Sequence, residues 1–298
     1  KESKILKPSS ILNLRKYRVR ILSFLNSLIL FQNYSISYFF SRFGNNLQQI
    51  AIGILFSNKV NGNFYLKNFS YMDDFSIINN PSHNLFSYLK KHYRFFYFSS
   101  EQDFPGGVLT KNFVYNNIEE VFKTEIAPRL TFNDDIEIDS GTLVIHIRSG
   151  DIFEIPINSY FQNPINYYRK IIEEFTDVLI VTSQEKNNPV CDELLKIDKV
   201  RLQTTSVEND FNTLVNATNL ATSGVGTFPI AAALVSNKLK NLYYTNLYSE
   251  EHLNPGMIVT NKVKHHIYKI DDDYIKKYKK ALNFQKLILD EKVLVSKV

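Results

Sequence analysis

The chain has 298 residues, 44% of them apolar and 14% aromatic, enough for one large or two modest cores and too much for wholesale disorder. Its net charge of +5 suits an anionic substrate, but no Lys/Arg run interleaved with aromatics marks a nucleic-acid arm. The single cysteine, Cys191, excludes an internal disulfide and a cysteine-based zinc site, and it fits a cytoplasmic location.

An opening lysine in place of methionine reads as a trimmed chain or as one module of a longer protein. Residues 11–31 predict a helix with Arg15, Lys16, Arg18 and Arg20 in its first half. Such a basic amphipathic helix either lies peripherally on a membrane or packs on its own domain. Its apolar run, 21–31, is broken by Ser23, Asn26 and Ser27 and falls short of the roughly 20 residues of a membrane span. A strand at 36–40, the turn SRFGNN and a helix at 47–56 open a Rossmann-like half. Residues 66–92 read as loops and short helices, 95–98 as a strand before the Pro105-Gly106-Gly107 loop, and 119–130 as a helix. The acidic, turn-rich segment 131–141 is the expected boundary between an N-terminal domain, 1–138, and a C-terminal domain, 139–298.

Beyond that boundary the alternation is regular. Strands are expected at 143–147, 178–182, 200–202, 219–222 and 243–245. Helices are expected at 165–175, 190–195, 211–217 and 227–234, with a closing helix at 272–289. Strands separated by helices imply a parallel sheet, so the expected fold is α/β, with two Rossmann-like domains facing a cleft.

Three clusters carry chemistry. In LVIHIRSGDIF, an apolar strand ends in His146, Arg148 and Asp151 around Gly150 and Ser149. Ligands of open α/β sheets bind at strand C-termini, so this reads as an anion site, or else as a structural Arg–Asp pair closing a corner. Arg42, Gly44, Asn45 and Asn46 mark a strand-to-helix turn, read either as a backbone-ligand approach or as a capped glycine turn. In ATSGVGTFPIAAAL, Ser223, Gly224, Gly226 and Thr227 precede an alanine-rich helix, a cradle for a diphosphate. HExxH, GxSxG and Walker motifs are absent, and His265-His266 is a poor chelate because strand neighbours point opposite ways. Asp271, Asp272 and Asp273 are expected to cap the final helix.

Together these segments resemble the superfamily of α-1,2-, α-1,6- and protein O-fucosyltransferases. SRFGNNLQQIA resembles the glycine–asparagine motif of the α-1,2 enzymes, and HIRSGD their HxRRxD segment, with Ser149 replacing the second arginine. Glu208–Phe211 followed by LATSGVGTF resembles their acidic–aromatic helix and Ser/Thr–Phe motif, and SYFQNPINYY a proline–tyrosine lead into a helix. The resemblance covers about residues 36–235. It implies a GT-B glycosyltransferase without a bound metal or cofactor. Such an enzyme transfers a sugar, with inversion, from a nucleoside diphosphate sugar to a glycan hydroxyl, GDP-fucose being the favoured donor.

Under that resemblance Arg148 stabilises the departing diphosphate, helped by Ser223, Gly224, Gly226 and Thr227. Gly44 and Asn45 meet the substrates from across the cleft. Asp210 hydrogen-bonds the ribose or base and Phe228 packs on it. Asp151 or His146 serves as general base, unless a loose transition state needs none. Ser149 leaves the donor sugar open, so a rhamnosyl, galactosyl or other hexosyl donor is the first alternative. A non-catalytic glycan-binding module is the second. A surface polysaccharide, a lipid-linked glycan and a glycoprotein all stand as acceptors.

Overall fold

The computed structural model describes residues 33–36, 39, 42–79, 91–93, 108–132, 136–154, 160–185, 187–250, 252–281 and 284–298. The basic segment 11–31, the strand expected at 95–98 and the 105–107 loop lie outside the described residues.

Four short strands form the first sheet: β1 (Asn33–Ile36), β2 (Asn63–Leu66), β3 (Phe75–Ile77) and β4 (Lys91–Tyr93), in the order β3-β2-β1-β4. β1 runs parallel to β2 and β4, and β3 is antiparallel to β2. The helix between the first two strands, α1 (Phe43–Lys59), is buried on nearly every side. A helix buried this way, with Asn46, Gln48 and Gln49 inside along with its apolar residues, needs cover on all faces. Here the cover comes from the first sheet, from α2 (Lys111–Val121) and from helices of the C-terminal half. The Thr110 hydroxyl caps α2 by accepting from the Phe113 N–H at 3.2 Å. A π-helical turn at Phe122–Ile126 and a 3-10 turn at Ala127–Arg129 follow α2 directly.

The second sheet holds seven strands. They are β5 (Thr142–His146), β6 (Asp177–Val181), β7 (Val200–Gln203), β8 (Asn219–Ala221), β9 (Asn241–Thr245), β10 (Lys264–Ile270) and β11 (Val295–Lys297). Their order is β11-β10-β9-β8-β5-β6-β7, parallel throughout except for the β10–β11 pair. From β7 to β10 this is the doubly wound order, which reverses direction between β5 and β8. The helices linking these strands are α3 (Asp151–Glu154), α4 (Ile165–Ile172), α5 (Pro189–Leu194), α6 (Val207–Val215) and α7 (Phe228–Val235). After β10 come α8 (Asp272–Lys280) and α9 (Phe284–Ile288).

Period-two alternation divides the strand residues between two cores. Leu143, Ile145, Val178 and Ile180 pack with α4, α5 and α8 on one face. Val144, Leu179, Val181 and Leu220 pack with α6 and α7 on the other, and that core continues into α1 and the first sheet. The α1–α7 contact is close enough to demand a glycine: a Cβ on Gly44 would lie 2.6 Å from the Phe228 backbone nitrogen.

Several expected elements shift. The first described strand is Asn33–Ile36, residues 37, 38 and 40 of the expected 36–40 lie outside the described residues, and the helix starts earlier than 47. Within 66–92, β3 and β4 replace part of the expected loops and short helices, because pairing with β2 and β1 overrides weak local propensity. The expected closing helix divides into α8 and α9, since Ala281 is extended. Its start is as expected: the Asp271 carboxylate accepts from the Tyr274 N–H at 2.6 Å. Among the described residues, no helix is long and apolar enough to cross a membrane.

Candidate functional site

Ligands of open α/β sheets bind at the carboxyl edge beside the point where the strand order reverses, here between β5 and β8. A cavity of about 630 Å³ lies there. Residues 146–149 after β5, 182–185 after β6 and 205–207 after β7 form its sheet-side wall, together with Thr227 and Phe228 at the start of α7. Residues 42–46, at the N-terminal end of α1, form the opposite wall with Tyr71.

Arg148 lines this cavity, and the loop that carries it is pinned from below. Asn188 Nδ2 donates to the Arg148 carbonyl at 2.8 Å. The Gly150 N–H donates to Asn187 Oδ1 at 2.6 Å, and Asn187 Nδ2 returns a bond to the Gly150 carbonyl at 3.2 Å. Gly150 adopts φ +83°, a left-handed conformation that favours glycine. Ser149 is 1% exposed and bonds the Thr182 hydroxyl at 2.8 Å, so this position holds a small buried side chain.

The turn after β8 reaches the same point. Gly226 has φ +103°, and a Cβ built on it would lie 3.6 Å from Arg148 Nη1. The guanidinium therefore lies against the turn that starts α7. The Thr227 hydroxyl donates to Asn45 Oδ1 at 2.6 Å, joining α7 to α1 at the cavity edge. Phe228 is half-buried among Phe43, Phe211 and the His146 ring, with centroid distances of 6.2, 5.4 and 5.6 Å.

Of the residues expected at the site, the cavity is lined by Gly44, Asn45, His146, Arg148, Asp210, Thr227 and Phe228. The fold gives some of them other work. His146 is buried, and desolvation, with the neighbouring Arg148 charge, lowers its pKa to about 3. It is neutral at pH 7 and weakly basic. Ser223 is fully buried and donates to the Val225 carbonyl at 2.8 Å, so its hydroxyl shapes the turn instead of facing a ligand. Gly224 is packed on the Asn163 side chain, where no Cβ fits. Gly44 makes a helix–helix contact, a different reason for the same residue from the expected approach to a ligand. Asp210 Oδ1 accepts from Gln203 Nε2 at 3.0 Å, the Thr205 N–H at 3.2 Å and the Thr205 hydroxyl at 2.6 Å. Its carboxylate chiefly holds the β7–α6 corner. Asp151 opens α3, and its side chain lies outside the described residues.

Two contributions were not read from the sequence. Asn163 supports the turn after β8, its Nδ2 donating to the Thr222 carbonyl at 2.8 Å and its Oδ1 accepting from the Thr245 hydroxyl at 2.7 Å. Ser183 and Glu185 enter the cavity from the end of β6. The strand-end rule that singled out Arg148 applies equally to them. His265 and His266 are occupied elsewhere, with Tyr244 Oη at 3.2 Å and Asn241 Oδ1 at 3.0 Å respectively.

No family model, curated protein or solved structure matches this chain. The functional reading therefore rests on the site.

Proposed function

We propose that this chain is an inverting glycosyltransferase of the GT-B type, taking a sugar from a nucleoside diphosphate sugar to a glycan hydroxyl. GDP-fucose is the favoured donor, through the resemblance of HIRSGD and SGVGTF to the fucosyltransferase superfamily. The observation that carries this reading is the placement of the Arg148 guanidinium against the Gly226 turn, on the wall of one cavity at the sheet's reversal point.

The chemistry asks for stabilisation of a departing diphosphate while positive charge grows on the sugar ring. Arg148 offers a planar fork for two phosphate oxygens. The N-terminal end of α7 adds the positive end of a helix dipole. Asn45, held by Thr227, presents an amide from the facing wall. With His146 neutral and weakly basic, rate acceleration rests on these fixed donors and on orientation of the acceptor.

Two measurements test the reading. Saturating nucleoside diphosphate is expected to raise the melting temperature, since a ligand at about 100 times its Kd adds about 2.7 kcal/mol. Arg148→Ala is expected to lose that shift and to lower transfer by about two to three orders of magnitude while the fold persists. A panel of GDP, UDP, CDP and dTDP with no stabilisation by any member overturns the proposal.

A further inference from the structure

Among the described residues lining the cavity, two carry carboxylates, Asp210 and Glu185. Asp210 is committed to the β7–α6 corner. Glu185 is exposed and stands at the end of β6, the second strand of the doubly wound order. Its carboxylate lies beside the Arg148 loop: a Cβ built on Gly150 would be 3.3–3.4 Å from its carboxyl atoms. The neighbouring Ser183 side chain and its own backbone N–H, with the Arg42 charge, hold the Glu185 carboxyl below the ordinary glutamate range. It is ionised at neutral pH.

An ionised carboxylate beside an anion site repels any phosphate placed against it. The part of a ligand that meets Glu185 must therefore donate hydrogen bonds. Glu185 follows β6 by four residues, and its carboxylate lies against Gly150, two residues along the chain from Arg148. In a nucleoside diphosphate the ribose is the group next to the diphosphate, and its 2′ and 3′ hydroxyls are adjacent donors that suit the two oxygens of one carboxylate. An acidic residue beyond the second strand of a doubly wound sheet takes the ribose 2′-hydroxyl in dinucleotide sites by the same logic.

We propose that Glu185 reads the ribose, making the site selective for ribonucleoside over 2′-deoxyribonucleoside diphosphates. This deepens the donor reading above and rests on it. It assigns Glu185 a specificity role and removes deoxythymidine-linked sugars from the donor class.

The test is calorimetric titration of the wild-type chain and of Glu185→Ala with GDP and UDP and with their 2′-deoxy counterparts. Loss of the 2′-hydroxyl should weaken binding to the wild type about tenfold or more, the range for a hydrogen bond to a charged group. In Glu185→Ala, ribose and deoxyribose forms should bind within about twofold of each other. Glu185 is exposed, so the variant should unfold at the wild-type temperature. If the wild type binds both forms equally, or Glu185→Ala still discriminates, the ribose assignment falls and the donor reading stands. If neither form binds the wild type, both fall.

Discussion

The cavity wall built by the seven-stranded sheet is held by hydrogen bonds, whereas the wall built by α1 is held by packing. On the sheet side, Asn187 and Asn188 bind the backbone around Arg148, and Asn163 binds the turn after β8. On the α1 side, Phe43 packs edge-on against Phe211 at 4.9 Å and Gly44 abuts the start of α7. The Asn45–Thr227 hydrogen bond joins the two walls. Directional bonds fix a loop atom by atom, as a charged group that must meet a particular oxygen requires. Apolar packing fixes only the distance and tilt of a whole helix.

The largest expected effect probes the sheet side. His146 keeps a pKa of about 3 in the folded chain against 6.5 in the open one. The unfolded state then binds more protons between these values, so stability falls as pH is lowered through that window. The loss is on the order of 4 kcal/mol for a fully buried histidine. Urea unfolding of His146→Gln from pH 7 to pH 4 should show a flatter acid limb than the wild type. A parallel limb would show that His146 is not held neutral.

Gly44→Ala attacks the packed wall. The new methyl group meets the backbone nitrogen and Cα of Phe228 at 2.6 and 2.8 Å, atoms that cannot swing aside. A loss of about 1–3 kcal/mol is expected in urea unfolding, together with weaker nucleotide binding as the helices separate. Unchanged stability would mean that the α1–α7 contact is loose. The smallest effect belongs to the bond between the walls. Thr227→Val keeps the shape and removes the donor to Asn45, and should cost about 1 kcal/mol of stability. If the wall positions depend on packing alone, this variant will bind nucleotide as the wild type does.

Much of the C-terminal half was legible in the chain. The apolar runs of β5 and β6, and the helices after them, follow from local periodicity, and the structure places them within a few residues of expectation. The first half was harder to read. β2, β3 and β4 are three or four residues long, and strands that short are decided by their partners. At the site, Arg148, Thr227 and Phe228 were legible because charged or small residues at a strand end stand out against an apolar run. Ser223 and Gly224 do not line the cavity, and a turn residue facing a ligand and one facing its own support share the same sequence pattern.

By itself the sequence determined the α/β alternation and the residues at each strand tip, since both depend on neighbours a few positions away. Only the tertiary structure decided that β8 pairs with β5, bringing Gly226 against Arg148, and that β6 carries Glu185 into the same cavity. Strand order follows from which apolar faces can be buried together, a property of the whole core that no local segment contains.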